Sequence, residues 1–401
     1  MKQGWTYKKL KELYPIVMGK TPPRAISKFW DPNKETHNLW VSIADLSKNE
    51  GKEITETKEY ISNEAIGNIS KVTKGSLLVS FKLTLGKMAF AGDDLYTNEA
   101  IMSLGKRDDI DLKFLYYYFS SLDWGKLATG NEKVKGKTLN KKSLGEIPVA
   151  MLSISEQERI VERLDAAFAQ IDELKSNAER QLAEARALFQ SALTQAMQPK
   201  PGWKCCKFND LIENLRTGLN PRTHFKLNTS DSVGYYITVR ELKGFTFEVD
   251  KRTDRINEDA IKRINERSNL KIGDVLYSGT GTIGRTALVQ ELPTWWNIKE
   301  GVYAITPKAN ILNSSFLIYV MHSEYFMSEV LSKTSGTTVR SIPMKMLKEI
   351  ILSIPSISEQ QVIVEHLDAF SNHVKELEEI SRKTATECDA LKQALLRQIF
   401  E

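Results

Sequence analysis

Three short clusters of glycine, hydroxyl and basic side chains occur twice along this 401-residue chain. Lys20, Thr21 and Arg24 follow Gly19, and Arg222, Thr223 and His224 follow Gly218. Lys82, Thr84 and Lys87 surround Gly86, and Thr280, Thr282 and Arg285 surround Gly281 and Gly284. Lys133, Lys135 and Lys137 follow Gly130, and Thr337, Thr338 and Arg340 follow Gly336. Glycine lets backbone come close to a phosphate, a hydroxyl donates to it, and Lys or Arg neutralises it or reads a guanine edge. One such loop could be an ordinary solvated turn. Three duplicated together point to a bivalent polyanion binder.

Other chemistries fit less well. Gly279 to Gly284 reads G-x-G-x-x-G, but a dinucleotide fingerprint needs a helix opening at its end, and Arg285 to Val289 predicts a strand. Gly136-Lys137-Thr138 misses the P-loop pattern because Gly130 lies one residue too far upstream. His366 and His373 would sit about 10.5 Å apart on a helix, too far to share an ion, and His37, His224 and His322 add no ligand spacing. Cys205, Cys206 and Cys388 build neither a disulfide framework nor a C-x-x-C metal site. No catalytic constellation is expected, and no cofactor bound by this chain.

At 41% apolar and 27% charged residues the composition is that of a globular protein, too long for one ordinary core. A net charge of +5 permits a polyanionic partner without demanding one. No apolar run approaches the roughly 18 residues that span a bilayer, and no apolar stretch follows Met1 as in a signal peptide. A cytoplasmic protein with no membrane partner is therefore expected.

The elements that would position the loops come from an internal repeat. Ser153 to Ala166 (SISEQERIVERLDA) recurs as Ser356 to Ala369 (SISEQQVIVEHLDA), with 11 of 14 positions identical at an offset of 203. Fainter matches pair Leu39–Leu46 with Tyr235–Leu242 and Lys74–Ser80 with Ile272–Ser278. The chain reads as a tandem duplication: an α+β body over 1–152, a long helix over 153–198, a second body over 199–355 and a second helix over 356–401. Ser155 with Glu158, and Ser358 with Gln361, predict capping boxes at the helix starts. Each helix is free of Pro and Gly for 44 residues, about 65 Å at 1.5 Å per residue.

Apolar positions along both helices step by three and four. Leu164, Ile171, Leu174 and Leu188 mark one seam; Leu367, Phe370, Val374, Leu377, Cys388, Leu391 and Leu395 mark the other. A seam this long needs a partner of its own length, and the other helix supplies it. In an antiparallel pair the numbers of contacting residues should add to about 562, within one heptad, bringing Leu174 to Cys388 and Leu188 to Val374.

Two diverged bodies, each ending in S-I-S-E-Q-x-x-I-V-E-x-L-D-A and a long helix, resemble the specificity (S) subunit of type I restriction–modification systems over the whole chain. The loop Ser278-Gly-Thr-Gly-Thr-Ile-Gly-Arg285 is similar to a turn of that family's target recognition domains, which the first body lacks almost entirely. The resemblance implies that each body reads one half of a bipartite double-stranded DNA site, and that the antiparallel helices act as a spacer. It also implies two methyltransferase (M) subunits carrying S-adenosylmethionine, restriction (R) subunits in the full complex, and no catalytic residue on this chain. Diverged bodies imply unlike half-sites, about one helical turn or roughly 34–36 Å apart. Two other readings stay open: a nucleotide-using enzyme, marked by a helix after Gly284, and a coiled-coil scaffold, marked by loops that point in different directions.

Overall fold

The computed structural model describes residues 5–401 except 129–131, 134, 135, 337 and 338, with the side chains at 68, 132, 133, 136, 137 and 223 undescribed. The chain divides into two units, Met1–Ala178 with Arg382–Glu401, and Glu179–Ser381. Both are mixed α+β and built alike.

In the first unit a five-stranded sheet runs in the order Val17–Met18, Ile101–Leu104, Leu77–Ser80, Met88–Ala91, Glu53–Ile54. In the second, Ile212–Thr217, Val302–Pro307, Val275–Ser278 and Thr286–Leu288 repeat the first four places. The central strands Leu77–Ser80 and Val275–Ser278 are buried at every residue, so they read as unbroken apolar runs rather than alternating ones. A three-stranded sheet lies beside each: Glu59–Tyr60, Leu39–Val41, Tyr96–Thr97, and Arg255–Ile256, Gly234–Ile237, Trp296–Ile298. A two-stranded ribbon closes each body, Thr6–Lys9 on Pro148–Met151 and Lys204–Lys207 on Ile351–Ile354.

Two long helices, Ile154–Ala196 and Ile357–Phe400, leave these ribbons. Their caps lie two residues earlier than the sequence suggests. Ser153 Oγ accepts from the Glu156 N–H and donates to the Glu156 carboxylate, and Ser356 Oγ accepts from the Glu359 N–H. Ser155 and Ser358 sit inside the first turn, where the helix already satisfies the groups that a cap would serve.

The repeated segment locks each helix to its body. Gln157 is fully buried; its Oε1 accepts from the Asp111 N–H at 2.9 Å, and its Nε2 donates to the carbonyls of Asp109 and Leu152 at 3.0 Å. Gln360 does the same with the Asn313 N–H and the carbonyls of Ile311 and Pro355. Two turns on, the Tyr117 hydroxyl donates to Asp165 and the Tyr319 hydroxyl to Asp368, both at 2.5 Å. Burial, then the hydrogen bond to the carboxylate, push both phenols far above their ordinary pKa.

Within each unit the helices run antiparallel. In the first, Cys388 Sγ lies 3.6 Å from the Ile171 carbonyl, Lys392 pairs with Asp172 at 2.6 Å, and Lys175 with Asp389 at 3.3 Å. In the second, Arg186 pairs with Glu378 at 2.6 Å, and the Phe189 and Phe370 rings are 5.9 Å apart. Every pair adds to within three of the expected total.

Leu164, Ile171, Leu367, Val374 and Cys388 are buried, and Phe370, Leu377 and Leu395 are half-buried. Leu174, Leu188 and Leu391 are not seam residues: they are 58%, 62% and 48% exposed. A strict heptad slips by about 20° per repeat on a straight α-helix, so the buried stripe picks up the next residue, Lys175, Phe189 and Lys392. Cys388 accordingly meets Ile171 rather than Leu174, and Phe189 takes the inward place expected of Leu188.

The far ends of the helices enter the cores. Leu396 and Phe400 join the core of the first unit, where Phe400 packs edge-on against Phe114, Tyr118 and Trp5 at 5.6–6.0 Å. Leu193 and Met197 join the core of the second.

Two outcomes follow from this packing. Phe400→Ala should destabilise the first unit by about 3–5 kcal/mol, read by hydrogen exchange as faster opening of Leu112–Ser121 with Ser314–His322 unchanged. Under oxidation Ile171→Cys should crosslink to Cys388 within the chain, whereas Leu174→Cys on the exposed face should not; the reverse pattern would refute the register described.

Candidate nucleic-acid interface

Each polar loop is held by a specific backbone device. Ser80 and Ser278, both fully buried at a strand end, each shape a tight turn. Ser80 Oγ donates to the Thr84 carbonyl at 2.5 Å and accepts from the Lys87 N–H at 2.9 Å; Ser278 Oγ does the same with Thr282 at 2.6 Å and Arg285 at 2.8 Å. Gly86 and Gly284 hold φ of 72° and 96°, and Leu83, at φ 62°, stands where the second unit has Gly281 at 82°. The first body therefore has the same turn as the Ser278–Arg285 loop although it keeps only one of that loop's three glycines. Leu83 accepts a left-handed conformation that costs an L-residue about 1–2 kcal/mol.

The other loops meet this turn. Lys82 bridges to Thr138, and Thr280 to Ser341; Leu139 N–H donates to the Phe81 carbonyl and Ile342 N–H to that of Gly279, at 3.0 and 2.9 Å. Gly19 and Gly218 pass so close to a neighbouring strand that a Cβ would lie 2.0 Å from the Thr97 carbonyl oxygen and 1.8 Å from that of Ile298. They set the first loop beside residues 97–101 and 298–302. The turn joins the same segment through Phe81 N–H to the Ala100 carbonyl, 2.9 Å, and Gly279 N–H to that of Gly301, 2.8 Å. All three loops thus converge at one edge within each unit.

Their side chains differ in what they already hold. Arg24 is paired with Glu59 and stacks over Trp30, with Trp40 at 5.0 Å; Thr21 donates to Glu99, and Lys87 pairs with Glu50. Burial disfavours the Glu99 charge, but the Thr21 hydroxyl, backbone N–H groups and the Lys82 charge together outweigh it, and the carboxyl lies below its ordinary value. Lys20 and Thr84 are exposed, and Lys82 is half-buried over its own Phe81 ring. In the second unit Arg222, His224, Thr282, Arg285 and Arg340 are exposed, and Thr280 Oγ1 shares a hydrogen bond with Ser341. Arg285 Nη1 reaches the Val239 carbonyl at 3.3 Å. Exposed ion pairs are worth about 0–1 kcal/mol, so Arg24 and Lys87 stay exchangeable for a phosphate. Lys135, Thr337 and Thr338 lie outside the described residues, as do the side chains of Lys133, Lys137 and Thr223.

Two groups escaped sequence reasoning: the segment Thr238–Arg240, backed by the buried Glu241, and the strand-end residues Lys299 and Glu300; Thr238–Arg240, Lys299 and Glu300 line a cleft of about 370 Å³ with Thr280 and Gly281. The signal was the hydroxyl three residues before a carboxylate, Ser42 to Asp45 and Thr238 to Glu241, in the matched segments.

The nucleotide motif resolves differently. A strand, Thr286–Leu288, follows Gly284 and pairs antiparallel with Val275–Ser278, so no helix N-terminus faces the glycines. Among the described residues no group of three or more potential ligands could hold a metal ion, and no helix is long and apolar enough to cross a membrane.

Substituting Ser278 by Ala should remove both bonds inside the turn and cost about 1–3 kcal/mol, read by thermal melting, with the amide shifts of 279–285 moving most. An unchanged melt would show that the glycines alone hold the turn.

Comparisons with known proteins agree with one another. A family model described as the type I restriction modification DNA specificity domain matches residues 2–184 and again 201–386. The type I restriction enzyme MjaIX specificity subunit of Methanocaldococcus jannaschii is 22% identical over 387 residues, 88% of this chain and 83% of that protein. The EcoBI specificity subunit of Escherichia coli is 22% identical over 323 residues, 74% of this chain and 66% of that protein. A chain solved in a study of complex assembly and conformational transition of the type I R-M system aligns with TM-score 0.74 at 18% identity, covering 100% of this chain and 98% of that one. The HsdS subunit of Thermoanaerobacter tengcongensis aligns with TM-score 0.55 at 17% identity, covering 100% and 97%.

Proposed function

This chain belongs to the type I restriction–modification specificity family, with two tandem DNA specificity domains, and from that premise we propose that each domain reads one half of a bipartite, asymmetric site in double-stranded DNA. The antiparallel helices set the distance between half-sites and dock two methyltransferase subunits. Those subunits bind S-adenosylmethionine and do the methyl transfer, and restriction subunits join in the full complex.

The observation that carries the reading is the convergence, within each unit, of three Gly-, Thr- and Arg/Lys-bearing loops on one sheet edge, built on the same Ser-anchored turn. A rigid turn fixed at its base lets exposed side chains be placed on a groove with little loss of entropy on binding. Divergence between the two loop sets favours unlike half-sites over a palindrome. A scaffold without a nucleic-acid role would have no use for this duplication of polar loops.

The test is the assembled methyltransferase on duplex DNA. If the loops neutralise six or more phosphates, affinity should fall by about 10³-fold or more between 50 and 200 mM salt. Arg285→Ala or Arg340→Ala should relax one position of the half-site read by the second domain, by about 1–3 kcal/mol, leaving the other half-site unchanged. A flat salt response would overturn the DNA reading, and uniform weakening over all sequences would make the residue a phosphate contact.

A further inference from the structure

Strand Gly234–Ile237 places Ile237 opposite Ile298, and strand Leu39–Val41 places Val41 opposite Thr97, so the residues that follow correspond: Ser42 with Thr238, Ala44 with Arg240, Asp45 with Glu241. The cradle is the same in both. Ser42 Oγ donates to Asp45 and Thr238 Oγ1 to Glu241, each at 2.6 Å, and both carboxylates are buried. What differs is the residue it presents, a methyl group in the first domain and a guanidinium in the second.

We propose that Arg240 is a specificity-determining residue of the second domain and reads a guanine in its half-site, an assignment that rests on the DNA-reading function above.

Arg240 is fixed from behind. Its Nε donates to Glu241 Oε1 at 2.9 Å and its Nη2 to the Arg252 carbonyl at 2.6 Å. Glu241 is held in turn by the Thr238 N–H at 2.9 Å and the Thr253 hydroxyl at 3.2 Å. Burial opposes its charge, but the Thr238 and Arg240 donors outweigh burial and keep the carboxyl below its ordinary range. Nη1, with two N–H donors, has no partner among the described residues. Arg240 lines the cleft with Thr280, Lys299, Glu300 and Asp254, and Arg285 bonds the adjacent Val239 carbonyl.

The cleft's charges favour a base edge over the sugar–phosphate backbone. Asp254 and Glu300 balance Arg240 and Lys299, so the cleft holds no excess positive charge to draw a phosphate, yet the mixture suits a G·C pair, where guanine offers O6 and N7 to an arginine and cytosine offers its N4 amine to a carboxylate. Preorganisation by a buried acid is what discrimination needs, since a guanidinium free to rotate would meet any acceptor. The first domain, with Ala44, should lack this guanine reader at the matching place.

The experiment is methylation of a duplex library, randomised across both half-sites, by the full chain assembled with its methyltransferase subunits. Arg240→Ala should cut guanine preference at one position of one half-site by about tenfold or more and leave every other position intact. Arg240→Lys, which keeps the charge and loses the guanidinium plane, should relax the same position with the salt dependence unchanged. If Arg240→Ala does not assemble, Arg240→Lys decides alone. An unaltered preference, or weakening spread evenly over all sequences with a salt slope smaller by about one, would overturn the assignment and leave DNA reading standing. A wild-type complex with no sequence preference would instead overturn the function on which it rests.

Discussion

A glutamine amide with no access to water must spend its donors and acceptor on fixed groups, and the rest of this architecture depends on that constraint. Gln157 and Gln360 each bond one N–H and two carbonyls, all on backbone, at the point where a long helix leaves its body. Backbone groups cannot swing to follow a tilting helix. One departure direction therefore satisfies all three bonds, and any other strands polar groups in a dry core, at about 1–3 kcal/mol each. The tyrosine–aspartate contact two turns further on repeats the restraint. With the origin of each helix fixed in position and direction, the partner met along its length and the face it buries are fixed too.

The cores complete this logic. Neither body closes over its own chain segment alone: the first takes in Leu396 and Phe400 from the end of the second helix, and the second takes in Leu193 and Met197 from the end of the first. Burying such side chains gives about 1.5–3 kcal/mol each, more than exposed pairs such as Lys175–Asp389 can supply. Orientation is thus set by apolar helix ends, and the charged pairs follow the register.

Against this frame the recognition surface is free to vary. The Ser80 and Ser278 turns keep their hydrogen bonds although one carries Leu83 and the other Gly281, and the hydroxyl–carboxylate cradle keeps its geometry with Ala44 in one domain and Arg240 in the other. What is repeated is backbone support. What differs is the chemistry displayed.

The sequence by itself determined the duplication, the two long helices, their antiparallel register and the family, because these rest on local identity and periodicity that a linear string preserves. It located the loops through glycine and hydroxyl spacing, but it could not show that the first body's turn equals the second's. That equality is carried by a serine hydroxyl and backbone bonds, which leave no glycine signature when a leucine can bear positive φ. Heptad counting placed Leu174, Leu188 and Leu391 inside, and the structure turned them outward. A straight helix advances 100° per residue, and the aromatic rings of Phe168 and Phe189 compete for the buried side. The cap moved from Ser155 to Ser153 because the ribbon's end, not the motif, decides where the first helical turn begins. Arg240 was legible only in three dimensions, since its role depends on a buried acid, a carbonyl twelve residues away and a cleft wall from two other strands' ends, a meeting that only the folded sheet brings about.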